Sequence, residues 1–260
     1  MILSQIVDIV RSGVVHINYT KDGERVGSGS GFMVNGFLVT NYHVFMGSKD
    51  SVVVIRTNNS NASNLLDGYQ LTYSEFQETL TTFSVQNSYD FAVLDIPELR
   101  QLNLYNFSFG EPAIKRIGDS VFFLGYPLEH LNLVCHSGII SSFYKNGVVD
   151  VLQIDASVNN SNSGGPLLDP ETGKVIGIIT RKATGLTRLF NELRSIIRQN
   201  IQVLDTARGV AIGGIDVMAG LAVGQRQILQ LTDEIERSAN VGIGYAFSIE
   251  QLRQEPIFAL

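Results

Sequence analysis

Three short segments of this 260-residue chain carry residue types that could do chemistry. The first is Asn162-Ser163-Gly164-Gly165-Pro166. A serine that attacks a carbonyl needs an exposed hydroxyl on a sharp turn, with backbone N–H groups free to hold the oxyanion. Adjacent glycines let a substrate approach the backbone closely. The same residue types also build an ordinary polar turn, so this segment alone leaves both readings open. The second is Thr40-Asn41-Tyr42-His43-Val44, where His43 ends an apolar stretch and could carry a proton. The third is Asp90-Phe91-Ala92-Val93-Leu94, in which an acid opens a buried-looking strand. Asp95 on that strand is set aside, and His16, His130 and His136 are given structural roles.

Short strands must position these residues. Val14–Thr20 alternates in polarity and runs into Lys21-Asp22-Gly23, a turn whose residues tolerate positive φ. Asn35-Gly36 is a strong type I′ hairpin signal before Phe37–Thr40. Further strands are expected at Ser51–Arg56, Phe91–Ile96, Ser120–Leu124, Gly138–Ser141, Val148–Ile154 and Lys174–Thr180. Many short strands at such spacing indicate a barrel or sandwich. Ser4–Arg11 reads as a short amphipathic helix, and the polar stretch Thr57–Asn64 as a loop. After Lys182 the period changes. Apolar residues from Leu186 to Leu204, and again from Met218 to Ile235, recur at three- and four-residue spacing and predict two helices. Asp216 is placed to cap the second. Asn240–Ser248 returns to strand character, so an all-β body carries a helical insertion at about residues 183–239.

Composition bounds the function. With 44% hydrophobic and 17% charged residues, a solvated disordered chain is excluded. A formal net charge of −6 argues against a nucleic-acid partner. The single Cys135 excludes an intrachain disulfide and a Cys-rich zinc site, and it favours a reducing compartment. Met1–Val10 has no basic residue ahead of its apolar positions, and Gly209–Val223 falls short of a bilayer span, so no membrane is expected and the location expected is the cytoplasm. Neither a metal-ligand cluster nor a Gly-rich phosphate loop occurs, so no metal or other cofactor is expected.

The order His43, Asp90, Ser163 resembles that of the chymotrypsin-like serine proteases, closest to the bacterial HtrA/Deg branch. The resemblance rests on eight segments in family order: Gly29–Phe32, Leu38–Val44, Asp90–Leu94, Gly125–Pro127, Ser137–Ser141, Asn162–Pro166, Gly177–Thr180 and Val241–Phe247. It implies a single domain over residues 1–260 with two six-stranded β-barrels, one at about 13–100 and one at about 115–182 plus 240–250. The helical hairpin is inserted before the last strand. It implies Ser163 as nucleophile, His43 as base, Asp90 as the acid that orients His43, and Thr180 as a supporting hydroxyl. The N–H groups of Ser161 and Ser163 would form the oxyanion hole, and Ser157, Val158 and Gly244 would line the substrate pocket. Ser161 departs from the family, which has glycine two positions before the nucleophile. Serine there could cost about 1–3 kcal/mol of backbone strain and leave the hole unformed at rest.

The function expected is an intracellular serine endopeptidase acting on proteins or peptides. A PDZ-type domain like that of many HtrA proteins is not expected after the final strand. An activating protein partner is expected at the helical insertion, by analogy with regulated proteases of bacterial defence systems. The alternative is a protease-fold binding module whose hydrolysis is impaired, for which Ser161 is the main feature.

Overall fold

The structure is a computed structural model. It describes residues 2–57, 68–127, 131–159, 161–180, 185–207, 211–212, 215–239 and 242–258. The loop expected up to Asn64 lies, beyond Thr57, outside the described residues, as does His130. The chain divides into one unit of Met1–Arg181 with Gly242–Leu260, and a second of Lys182–Val241.

The first unit opens with helix α1 (Leu3–Val10), which buries Ile6 and Val10. Strands β1 (Val14–Lys21), β2 (Glu24–Val34) and β3 (Phe37–Thr40) follow as two hairpins. Both turns have two successive residues at positive φ, Asp22 (52°) with Gly23 (82°) and Asn35 (50°) with Gly36 (83°). That matches the right-handed twist of the flanking strands. Next come α2 (Tyr42–Phe45), β4 (Val52–Thr57), β5 (Tyr69–Thr72), α3 (Tyr73–Glu78), β6 (Leu80–Ser84), β7 (Phe91–Leu94) and α4 (Pro97–Gln101). The strands form one curled sheet in the order β5-β4-β1-β2-β3-β7-β6. It stands where a first six-stranded barrel was expected. Among the described residues it has seven strands with β5 and β6 at its edges, and this curled half-barrel, with the closed barrel of the later strands, gives the double-barrel fold expected.

The remaining strands are β8 (Ser120–Gly125), β9 (Val134–Asn146), β10 (Val149–Ile154), β11 (Pro166–Leu168) and β12 (Val175–Thr180). The second unit then supplies α5 (Gly185–Thr206), β13 (Ala211–Ile212), β14 (Ile215–Asp216) and α6 (Val217–Ala239). The chain returns with β15 (Gly244–Ser248) and α7 (Glu250–Arg253). Strands β10-β15-β12-β11-β8-β9 close into a six-stranded barrel.

Strands β1–β3 bury most of their residues. Successive strand residues point to opposite faces, and here both faces are buried. Val14, Phe32 and Val39 join a core shared with Phe122, Leu124 and Tyr126 of the barrel. Their neighbours Val15, Met33 and Leu38 face the interior of the curled sheet with Phe45 and Phe76. The barrel keeps its own interior of Phe123, Ile140, Leu152, Leu167 and Ile179. Each fully buried side chain of this size stabilises by about 1.5–3 kcal/mol.

In the second unit, α5 and α6 form the expected helical hairpin, joined by the small β13–β14 ribbon. Asp216 Oδ1 accepts from the Ala219 N–H at 2.9 Å, a cap at the start of α6. Arg226 Nη2 donates to both carboxylate oxygens of Asp205, at 2.8 and 2.9 Å, and ties the helices.

Candidate active site

Asp90 organises one half of the site. Its backbone sits at φ 48°, a left-handed conformation that aspartate tolerates better than most residues. This turns the residue toward the segment after β3. Its carbonyl accepts from Tyr42 N–H at 3.2 Å and from Asn41 Nδ2 at 2.8 Å. Its carboxylate accepts from the His43 N–H at 3.0 Å through Oδ1, and meets His43 Nδ1 at 2.7 Å through Oδ2. A carboxylate can only accept, so Nδ1 carries the hydrogen and Nε2 is left as the acceptor. Asp90 is 2% exposed and the His43 side chain 27%, so the acid is buried behind the base. Thr180 Oγ1 reaches Asp90 Oδ2 at 3.5 Å, a long contact. Asp95 instead pairs with Arg100 at the surface.

Ser163 stands in the segment between β10 and β11. Its carbonyl accepts from Ser30 N–H at 2.8 Å, and the next residue, Gly164, donates to Ile179 O at 2.8 Å. The turn is thus fastened to β2 on one side and β12 on the other. Gly164 has φ 88°, and a Cβ there would lie 2.1 Å from Ser30 O and 2.4 Å from Thr40 Oγ1. Only glycine fits. Ser161 adopts φ 74°. Its carbonyl accepts from Ser30 Oγ at 2.7 Å, and its hydroxyl lies 2.5 Å from that of Ser28. Among the described residues, the N–H groups of Ser161 and Ser163 find no acceptor. His43, Ser161 and Ser163 line a single cavity of about 580 Å³, with Ser28 and Arg25 on the same wall. The arrangement puts a base and a hydroxyl on one cavity that Ser161 also lines.

Comparison with known proteins gives this geometry a family. The description "Trypsin-like peptidase domain" matches residues 29–178, more than half of the chain. The chain belongs to the trypsin-like peptidase family. Over 161 residues, or 58% of its length, it is 34% identical to a probable periplasmic serine endoprotease, DegP-like, of Rickettsia conorii, and covers 28% of that protein. It is 29% identical to serine protease HTRA1A of Danio rerio over 80% of its own length and 43% of the relative's. It therefore spans less than half of these relatives. Among solved structures it resembles the HtrA-type protease AlgW with tripeptide, with a TM-score of 0.52 and 27% identity over 68% of this chain and 54% of that one.

In this trypsin-like peptidase, the residues expected to line the pocket are neighbours. Ser157 Oγ accepts from the Gly242 N–H at 2.9 Å. Val158 is buried with Ile154 and Ile179, and a Cβ on Gly244 would come within 2.5 Å of its methyl carbon. Three supporting residues escaped the sequence reading: Asn41, Ser28 and Ser30. The signal for the serines was present in Gly27-Ser28-Gly29-Ser30-Gly31, whose period of two puts both hydroxyls on one face of β2. Among the described residues no group of three or more His, Cys, Asp or Glu could hold a metal ion, and no helix is long and apolar enough to cross a membrane.

Proposed function

We propose that the protein is a serine endopeptidase. The observation that carries this reading is the pair of hydrogen bonds from His43 to Asp90 beside a cavity shared by His43 and Ser163. Ser163 Oγ attacks the scissile carbonyl while His43 Nε2 takes its proton. Asp90 holds the tautomer and stabilises the imidazolium. The N–H groups of Ser161 and Ser163 hold the oxyanion as it develops. Collapse of the tetrahedral intermediate breaks the C–N bond, and His43 returns the proton to the leaving amine. Water then enters by the same route to release the acyl group from Ser163.

Small to medium apolar residues such as Val, Ala or Leu fit before the cut, since Ser157, Val158 and Gly244 offer no carboxylate to pair with Arg or Lys. The lone, exposed Cys135 supports a reducing, cytoplasmic setting. Control by a protein partner at the helical unit is part of the same proposal. A binding module with impaired hydrolysis is the second reading, favoured by a serine at φ 74° where the family has glycine. Ser163→Ala separates the two. Loss of peptide cleavage with an unchanged fold supports the peptidase, and equal activity in variant and parent rejects it.

A further inference from the structure

The side chain at position 161 is a liability, and two hydroxyls of β2 answer it. Serine resists a φ of 74°, whereas glycine adopts it freely. Ser161 nevertheless holds this conformation while fastened at its hydroxyl and its carbonyl. Ser28 Oγ, 133 positions earlier, is 2.5 Å from its hydroxyl. Ser30 Oγ donates to its carbonyl at 2.7 Å, and accepts from the Tyr126 N–H at 3.0 Å, so both roles of that hydroxyl are fixed. The Ser30 backbone N–H holds the Ser163 carbonyl as well. Side chains and backbone of β2 therefore grip both ends of the Ser161-Asn162-Ser163 segment.

We propose that Ser28 is a positioning residue of the peptidase: its hydroxyl bonds that of Ser161 and, with Ser30, clamps residue 161 in the left-handed conformation that keeps its N–H available to the oxyanion. The inference rests on the peptidase reading and deepens it, because it says how a chain without the family's glycine keeps a working oxyanion hole. Ser28 itself touches no reacting atom. Its effect passes through the Ser161 backbone, so it belongs to the chemical step rather than to substrate binding.

The test is a double-mutant cycle of Ser28→Ala and Ser161→Gly, read with a fluorogenic peptide carrying Val before the cut and with a fluorophosphonate probe of Ser163. In the parent, Ser28→Ala should lower kcat and the labelling rate by about tenfold, less than deletion of an oxyanion donor outright, with KM unchanged. In the Ser161→Gly background the same substitution should change kcat by less than about twofold, since glycine needs no clamp. An equal loss in both backgrounds, or no loss in the parent, overturns the clamp. A fall in KM-based affinity with kcat intact also overturns it. Thermal melting distinguishes this failure from failure of the peptidase reading. If the parent neither cleaves nor labels, the peptidase reading falls. The clamp then stands only if Ser28→Ala lowers Tm by about 2–4 °C when position 161 is serine and not when it is glycine.

Discussion

Asp90 concentrates more of the site than any other residue. It fixes Asn41 and Tyr42 through its carbonyl and His43 through both carboxylate oxygens. Asp90→Asn keeps the shape but offers His43 an amide that can donate, which permits the wrong tautomer. The kcat of the variant should fall by about 10⁴ with KM little changed, measured under saturating peptide. A loss below about tenfold would show that His43 does not depend on this carboxylate. Gly164 is the second critical residue. Gly164→Ala forces a Cβ against Ser30 O and Thr40 Oγ1 at a φ of 88°, and should cost at least about 1–3 kcal/mol of stability. Urea unfolding reads it, and an unchanged midpoint would contradict the fit. At this scale the sequence was informative where chemistry is local. His43, Asp90 and Ser163 each sit in a recognisable segment. The Ser28–Ser161 contact was not legible, because it joins residues that only the closed fold brings together.

Among the elements, β1 carries a buried histidine. His16 is fully buried and stacks on Tyr126 with ring centroids 4.6 Å apart. Its Nε2 has no partner among the described residues. Burial, then the positive charges of Arg25 and Arg56, push its pKa from 6.5 down to about 3. The folded state therefore keeps His16 neutral while the unfolded chain binds a proton as pH falls below 6.5. Stability is lost as pH drops through that window, by up to about 1.4 kcal/mol per unit. His136, also lowered by burial, adds to the same trend. Replacing His16 with Gln should flatten the dependence of the urea midpoint between pH 6.5 and 4.5. An identical slope in parent and variant would remove His16 from the account. The elements themselves were legible where turns announce them, as at Asp22-Gly23 and Asn35-Gly36. Strands β5 and β6 went unread because each is short and α3 separates them. The capping box that starts α3, with Thr72 N–H donating to Glu75 Oε2 at 2.7 Å, was the signal available.

At the scale of the whole molecule, the helical unit interrupts the barrel between β12 and β15, the two strands that pair through Gly177–Thr180 and Tyr245–Ser248. Its periodicity and the Asp216 cap made both helices legible, whereas the β13–β14 ribbon between them, two residues a strand, left no periodic pattern to read. Replacing residues 186–236 with a short Gly/Ser linker tests the proposed control. Partner-independent cleavage by a folded variant supports that control, and regulation that persists without the helices rejects it. The central claim, a Ser163 nucleophile activated by His43 and Asp90, is tested most directly by fluorophosphonate labelling of the intact chain followed by peptide mass mapping. One adduct is expected, on Ser163, absent in Ser163→Ala and slowed by orders of magnitude in His43→Ala. Labelling elsewhere, or labelling of Ser163 at the same rate without His43, would contradict it.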